Sequence, residues 1–390
     1  MKNFRLKSVS IAGYRSYDTH LRKNCVPLGN YNLIIGANGA GKSNFIAFLE
    51  MVSVMMTRGL RNYTAKQGGA DSLLHFGIKE TEEMRGKLCL EDSENDTEAT
   101  YSFALEWNAE RRLYFHDETL DVDDDDDNEP LDFAKEKARQ SGRKTKKYQF
   151  GEGHFESELA NCPEKRWLRN LWRSLSRLKV FHFNDTSMSS HMRGGSHMET
   201  GDFLRADGEN LAAFLYRLQS EEQYQPYYRR IVRTVRRAMP QFDDFDLQSE
   251  DDFLILRWRQ AGEEYPFGPH QLSDGALRFI ALTTLLLQPP ELAPGAIILD
   301  EPEIGLHPYA LSLLSWEPRE AGKNSQIILA TQSPTLLNSF SCEDILTAEY
   351  DSTRRSSVLR RHSEEELKEW LNDYSLGKLW EKNVLGGLPI

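Results

Sequence analysis

The eight residues Gly36-Ala-Asn-Gly-Ala-Gly-Lys-Ser43 constrain this chain more than any other stretch. They follow an apolar run, 31–35, and precede a segment in which Phe45, Phe48, Leu49, Val52 and Met56 recur at helical spacing, with Gly59 as its expected end. A strand, a glycine-rich turn and a helix in that order aim the turn's backbone N–H groups at one point, beside the positive end of the helix. Gly36, Gly39 and Gly41 permit positive φ and a close approach to the backbone. The spacing G-x-x-x-x-G-K-S therefore predicts a phosphate cradle. Lys42 reaches the β- and γ-phosphates of a nucleotide, Ser43 ligands Mg²⁺, and Asn38, Ala40 and Asn44 complete the lining.

A second constraint lies far downstream. The apolar run 296–299 ends in Asp300-Glu301, and carboxylates after a buried strand are costly unless something neutralises them. Here Asp300 is expected to hold Mg²⁺ and Glu301 to polarise an attacking water. Asp300 follows Lys42 by 258 residues, too far for a compact domain in which the acids come soon after the cradle. Just ahead of the acids, Gln271-Leu-Ser-Asp-Gly-Ala-Leu-Arg278 opens the helical run LRFIALTTLLL. A serine hydroxyl, glycine N–H groups and a helix N-terminus suit a γ-phosphate. Since Gly36–Ser43 already supplies one cradle, this element is useful when a second copy presents it.

These pieces, with Tyr14-Arg15-Ser16 and ATQSP at 330–334, resemble ABC-class ATPases of the SMC/RecF type, within the broad group of AAA ATPases of defence and repair systems. The resemblance covers roughly residues 1–80 and 265–340. It implies an α/β fold: a P-loop NTPase head of ABC type, a mixed twisted sheet with flanking helices and an inserted helical lobe. It implies ATP and Mg²⁺ as cofactors, and a homodimer or higher oligomer closing around ATP. By the same resemblance Arg15 approaches the nucleotide, and Ser273, Asp274 and Gly275 form the signature that meets the partner's ATP. Glu303 to His307 stands at the D-loop, and Glu301 and Gln332 are catalytic. Two departures stand out. The signature reads LSDGA, and Gln332 occupies a switch position where many relatives carry histidine. Glutamine donates a hydrogen bond but takes up no proton near neutral pH, so slow hydrolysis is expected. The implied role is a nucleotide-gated clamp or sensor in bacterial anti-phage defence or DNA repair, controlling a separate effector such as a nuclease or toxin. The alternatives are a non-hydrolysing scaffold held together by nucleotide and, less well matched, the ATPase subunit of a transporter.

With 390 residues the chain exceeds one typical domain. The expected segments are a first ATPase lobe, 1–120; an insertion, 121–244; a second ATPase lobe, 245–350; and a tail of strands and a helix, 351–390. The insertion opens with the acidic stretch DVDDDDDNEP and a basic run from Lys135 to Lys147, which read as solvated. Two amphipathic helices follow, at 164–178 and 226–239. One carries Arg166, Arg169, Arg173 and Arg177, with Trp167 and Trp172 as packing anchors; the other carries Arg229, Arg233, Arg236 and Arg237. These stripes are either solvated faces or a groove for a nucleic-acid backbone. The net charge of −12 argues against a uniformly nucleic-acid-binding surface but leaves local patches open. Cys25, Cys89, Cys162 and Cys342 lie too far apart to suggest zinc or disulfides. His75, His182, His191, His197, His270 and His307 show no ligand spacing, so no metal besides Mg²⁺ is expected. The last fifth lacks clustered acids for a two-metal nuclease. No apolar run approaches the ~18 residues of a membrane span, and a cytoplasmic address is expected.

Overall fold

In the computed structural model the run 31–35 is a strand, Tyr31–Ile35, and the helix after the glycine-rich turn spans Lys42–Met55. The structure describes residues 4–92, 97–123, 134–138, 144–161, 166–249, 251–314 and 325–387. By contacts the chain divides into two compact units. The first comprises Met1–Lys179, Glu343–Glu366 and Leu385–Ile390; the second comprises Val180–Cys342 and Leu367–Val384.

The first unit is built on an antiparallel sheet in the order Cys25–Pro27, Arg5–Ala12, Glu83–Asp92, Thr97–Trp107, Leu113–Asp123, Lys144–Phe150, Ala134–Ala138. Thr97–Trp107 and Leu113–Asp123 form a hairpin. Asn108 closes its turn, Oδ1 accepting from the N–H groups of Glu110 and Arg112. The described parts of the Lys135–Lys147 run differ from the expected solvated insertion, because they add two strands to this sheet. Pairing between separate segments leaves no local pattern that a block of like charge would reveal. The acidic residues 124–130 lie outside the described residues. The nucleotide-loop helix buries Phe45, Phe48, Leu49, Val52 and Met55, and Phe48 stacks on Phe103 of the sheet at 6.0 Å between ring centroids. Gly86 lets the two meet: a Cβ there would stand 2.3 Å from the Phe103 ring. The left-handed turn after the helix falls on Arg58 (φ 57°), and Gly59 caps the next helix, Leu60–Lys66. On the other side of the cradle strand, Ile345–Asp351 runs parallel to it and pairs antiparallel with Ser356–Arg361.

The second unit carries the parallel pair Ala296–Asp300 and Gln326–Thr331, in register from Ala296↔Gln326 to Asp300↔Ala330. Its helix Asp274–Leu287 is buried at every position from Leu277 to Leu287, as expected of a helix apolar on all sides. The segment FLILRWR alternates between buried and more exposed residues throughout but changes partners along its length. Phe253–Ile255 pairs with Gly195–His197, and Arg257–Gln260 with Phe242–Asp246. Period-2 burial is visible in a sequence; a change of partner is not. The expected terminal helix is Glu364–Leu371, and a second, Leu376–Glu381, follows it. Among the described residues no helix is long and apolar enough to cross a membrane.

Candidate nucleotide site

In the first unit the cradle has the form its sequence predicts. Gly39 and Gly41 adopt φ of 81° and 105°, which L side chains rarely adopt. No heavy atom lies within 4 Å of where a Cβ on Gly39 would stand, so the loop's mouth is open there. Gly36 and Gly41 are required by crowding: a Cβ on the first would meet Ala348 O at 2.4 Å, on the second Ser357 Oγ at 2.2 Å. Lys42 is only 4% exposed, and its ammonium donates to Gly36 O (2.6 Å) and Ala37 O (3.1 Å). Asn38, Gly39 and Ser43 are exposed around it, and Ala40 is buried beneath. An ammonium on the loop's floor and open amides above it fit a triphosphate chain.

The Tyr14-Arg15-Ser16 element joins this cradle. Ser16 Oγ accepts from Asn44 Nδ2 at 2.8 Å, tying the element to the helix's first turn. Tyr17 donates from its hydroxyl to Gly41 O at 3.2 Å, and burial pushes its pKa up, which keeps it a donor. Arg15 sits at φ 44°, its N–H donating to Leu73 O and its guanidinium to Gln67 Oε1 at 2.6 Å. Sequence reasoning did not find the hydrogen bond from Ala37 N to Gly387 O (2.7 Å), nor the seat of Gly387 N on Glu349 Oε1 (2.8 Å). No local pattern links residue 37 to residue 387.

In the second unit Asp300 ends its strand, and Glu301 turns out of it with φ 48°, its N–H still donating to Ala330 O. Bulky residues hold such a conformation only where the surroundings impose it. Gln332 donates from Nε2 to Glu301 Oε1 at 2.5 Å, so the two catalytic candidates are in contact. Glu303 binds its own chain's switch segment. Its Oε1 accepts from Thr331 Oγ1 (2.5 Å) and from Gln332 N (2.9 Å). Its Oε2 is buried with no hydrogen-bond partner among the described residues. His307 caps the helix Pro308–Leu313, its Nδ1 accepting from Tyr309 N.

The signature begins the helix Asp274–Leu287. Ser273 is its N-cap, accepting from Ala276 N at 3.3 Å, and is exposed together with Asp274. Two buried arginines that sequence reasoning passed over hold it. Arg193 pairs with Asp274 at 2.8 Å and donates to the carbonyls of Thr186, Pro269 and Leu272. Arg278 donates to the carbonyls of Phe183, Asn184 and Ile304. Burial pulls its pKa down, partly opposed by Asp274. Charged donors of this kind pin loops that lack secondary structure. Gly275 abuts Gly305, whose oxygen would stand 2.6 Å from a Cβ at 275, so signature and D-loop touch within one protomer. A groove of about 450 Å³ opens beside them, lined by Ser273, Gly275, Leu306, His307, Trp258 and Met239.

The arginine-bearing helices belong to different compact units. Gln225–Ala238 buries Tyr228, Ile231, Val232 and Val235, and leaves Arg229, Arg233, Arg236 and Arg237 exposed. Arg236 is paired with Asp243 at 2.8 Å. In Arg166–Ser176, Arg169 is exposed, Arg173 and the following Arg177 are half-buried, and Trp172 donates from Nε1 to Met56 O. The side chains of Arg166 and Trp167 lie outside the described residues. Of the histidines, His191 comes within reach of Asp207 and Glu209, and its Nδ1 is 2.7 Å from Asp207 Oδ2.

The model of the family described as "AAA domain, putative AbiEii toxin, Type IV TA system" matches residues 31–338. No curated protein matches the chain by sequence. Among solved structures, the Smc head bound to the C-winged helix domain of ScpA is similar at a TM-score of 0.59 and 15% identity, covering 93% of this chain and 99% of that one. The Smc head domain with an extended coiled coil, bound to the C-terminal domain of ScpA derived from Pyrococcus furiosus, is similar at 0.56 and 14%, covering 95% and 99%. At these identities the likeness is one of fold. It bears out the expected α/β head of ABC type.

Proposed function

Because the chain belongs to the family described as "AAA domain, putative AbiEii toxin, Type IV TA system" and has the fold of an SMC head, we propose that it binds and hydrolyses ATP as a homodimer, using nucleotide state to gate a clamp. The observation that carries this reading is the buried Lys42 ammonium, seated on the cradle's own carbonyls beneath exposed Asn38, Gly39 and Ser43. Gly36–Ser43 of one copy and Ser273–Gly275 of the other enclose each ATP. Ser43 and Asp300 are the proposed Mg²⁺ ligands, and the ion supplies charge for the β- and γ-phosphates when bound. Glu301 takes the proton of the attacking water, and Gln332, which donates to it, holds its carboxylate in place. Glu303 fixes the backbone of Gln332 and so relates the D-loop to the catalytic pair. The proposed setting is cytoplasmic anti-phage defence or DNA repair, with a separate nuclease or toxin as the controlled effector.

Mixing two inactive variants tests the composite site. Lys42→Ala disables the cradle and Ser273→Arg blocks the exposed signature. A heterodimer of the two keeps one intact site and loses both damaged halves in the other. Each variant alone is expected to release no phosphate above background, and an equimolar mixture to regain a substantial part of the wild-type rate. A mixture as inactive as its components rejects the shared site.

The scaffold reading draws on Gln332, whose amide already occupies Glu301 and titrates at no physiological pH. It predicts no appreciable phosphate release by wild type, with or without DNA.

A role for DNA draws on the exposed arginines at 229, 233 and 237. Each guanidinium removed from a phosphate should reduce the slope of log affinity against log salt by about one. The triple alanine variant is expected to show a visibly flatter slope in a fluorescence-anisotropy titration, and equal slopes remove the DNA assignment.

A further inference from the structure

Beyond the cradle, the first unit presents an aromatic side chain at its surface in an unusual setting. Phe76 is 46% exposed, and the Arg355 guanidinium carbon stands 3.8 Å from the centre of its ring. A single exposed phenylalanine is ordinary on a protein surface, and an arginine above it is a common cap. Two further observations set this pair apart. Phe76 and Arg355 both occupy the left-handed region, with φ of 56° and 52°, as does Arg15 at 44°. Side chains of this size adopt that backbone only under constraint, and the constraint clusters at functional sites. Both residues are also wired to the cradle. From Phe76 the path runs through His75, whose ring meets Phe76 edge-on at 4.2 Å and whose Nδ1 is 2.6 Å from Arg15 O. From Arg355 it runs two residues on to Ser357, which donates its N–H to Ser16 O and crowds Gly41 at the end of the phosphate loop.

We propose that the exposed surface of the Phe76–Arg355 pair is where the base of the bound nucleoside triphosphate stacks, a role that rests on Gly36–Ser43 as the cradle for its phosphates. A planar π-system needs only a flat apolar or cationic partner, and the pair offers both. The strained turns at 15, 76 and 355 hold that partner in place before nucleotide arrives, so little ordering accompanies binding.

The test compares a ligand that has a base with one that does not. Affinities for Mg·ATP and for Mg·tripolyphosphate are measured by calorimetry on wild type, Phe76→Ala, Phe76→Leu and Arg355→Ala. Phe76→Ala is expected to weaken ATP about tenfold and to leave tripolyphosphate unchanged, the loss of one base–aromatic stack. Arg355→Ala is expected to weaken ATP alone, by several-fold. Phe76→Leu keeps apolar bulk and guards against misfolding of the alanine variant; it too should lose ATP affinity selectively. Equal losses for both ligands, or undiminished ATP binding in all three variants, overturn the stacking role. A wild-type protein that binds neither ligand instead overturns the cradle itself.

Discussion

The Glu301→Gln protein is expected to bind ATP as tightly as wild type, to release phosphate about 10²- to 10⁴-fold more slowly, and to accumulate as an ATP-loaded dimer. The reasoning is local. Glu301 is turned out of its strand at φ 48° and receives a hydrogen bond from Gln332 Nε2, an arrangement that leaves an acceptor oxygen for a water proton. Glutamine has nearly the same shape but loses the base, so proton removal fails while binding persists. The new amide also faces the Gln332 amide, which can turn over to present its oxygen, so little stability should be lost. Single-turnover phosphate release and light scattering with ATP check both halves of this outcome. Unchanged turnover rejects Glu301 as the base. A slow wild type with an equally slow variant supports the scaffold reading instead.

Removing the cradle ammonium is the second large effect. Lys42→Ala is expected to weaken ATP by about a hundredfold or more, since charge-assisted bonds to two phosphates each contribute about 1.5–3 kcal/mol. It also strips Gly36 O and Ala37 O of a donor, so the free protein should melt a few degrees lower. The diagnostic is the difference between melts with and without Mg·ATP. Wild type should be raised by nucleotide and Lys42→Ala should not. A variant stabilised as much as wild type would place the triphosphate somewhere other than Gly36–Ser43.

Contiguous elements were legible from the chain. Gly36–Ser43, Asp300-Glu301 and Ser273-Asp274-Gly275 are short runs whose strand or helix flanks can be read from periodicity, and each adopts the expected local form. Elements defined by partners were less legible. The run 135–147 read as a solvated insertion, yet its described parts pair into a sheet, because strand pairing depends on partners distant in the chain. Gly59 read as the end of a helix, whereas Arg58 takes the left-handed turn and Gly59 makes room against Val54. Arg193, an isolated basic residue, and Arg278, at the end of the quoted signature element, gave no signal of a holding role. Only folding brings them to the carbonyls of 183–186, 269–272 and 304. Glu303 belonged to the expected D-loop, but its grip on Thr331 and Gln332 crosses 28 or 29 positions and follows from the pairing of two parallel strands.

The amino-acid order alone determined the glycine-rich turn between strand and helix, the acids after the buried strand and the Ser273-Asp274-Gly275 run opening its helix, because those local forms depend on neighbours within about eight residues. Tertiary structure alone decided which side chains meet: Ser16 and Asn44, Gln332 and Glu301, Arg193 and Asp274, and Arg355 and Phe76. The physical reason is range. Backbone geometry and periodicity act over a few residues and leave a pattern in the chain, whereas hydrogen bonds and ion pairs act over a few ångströms, wherever folding happens to deliver the atoms.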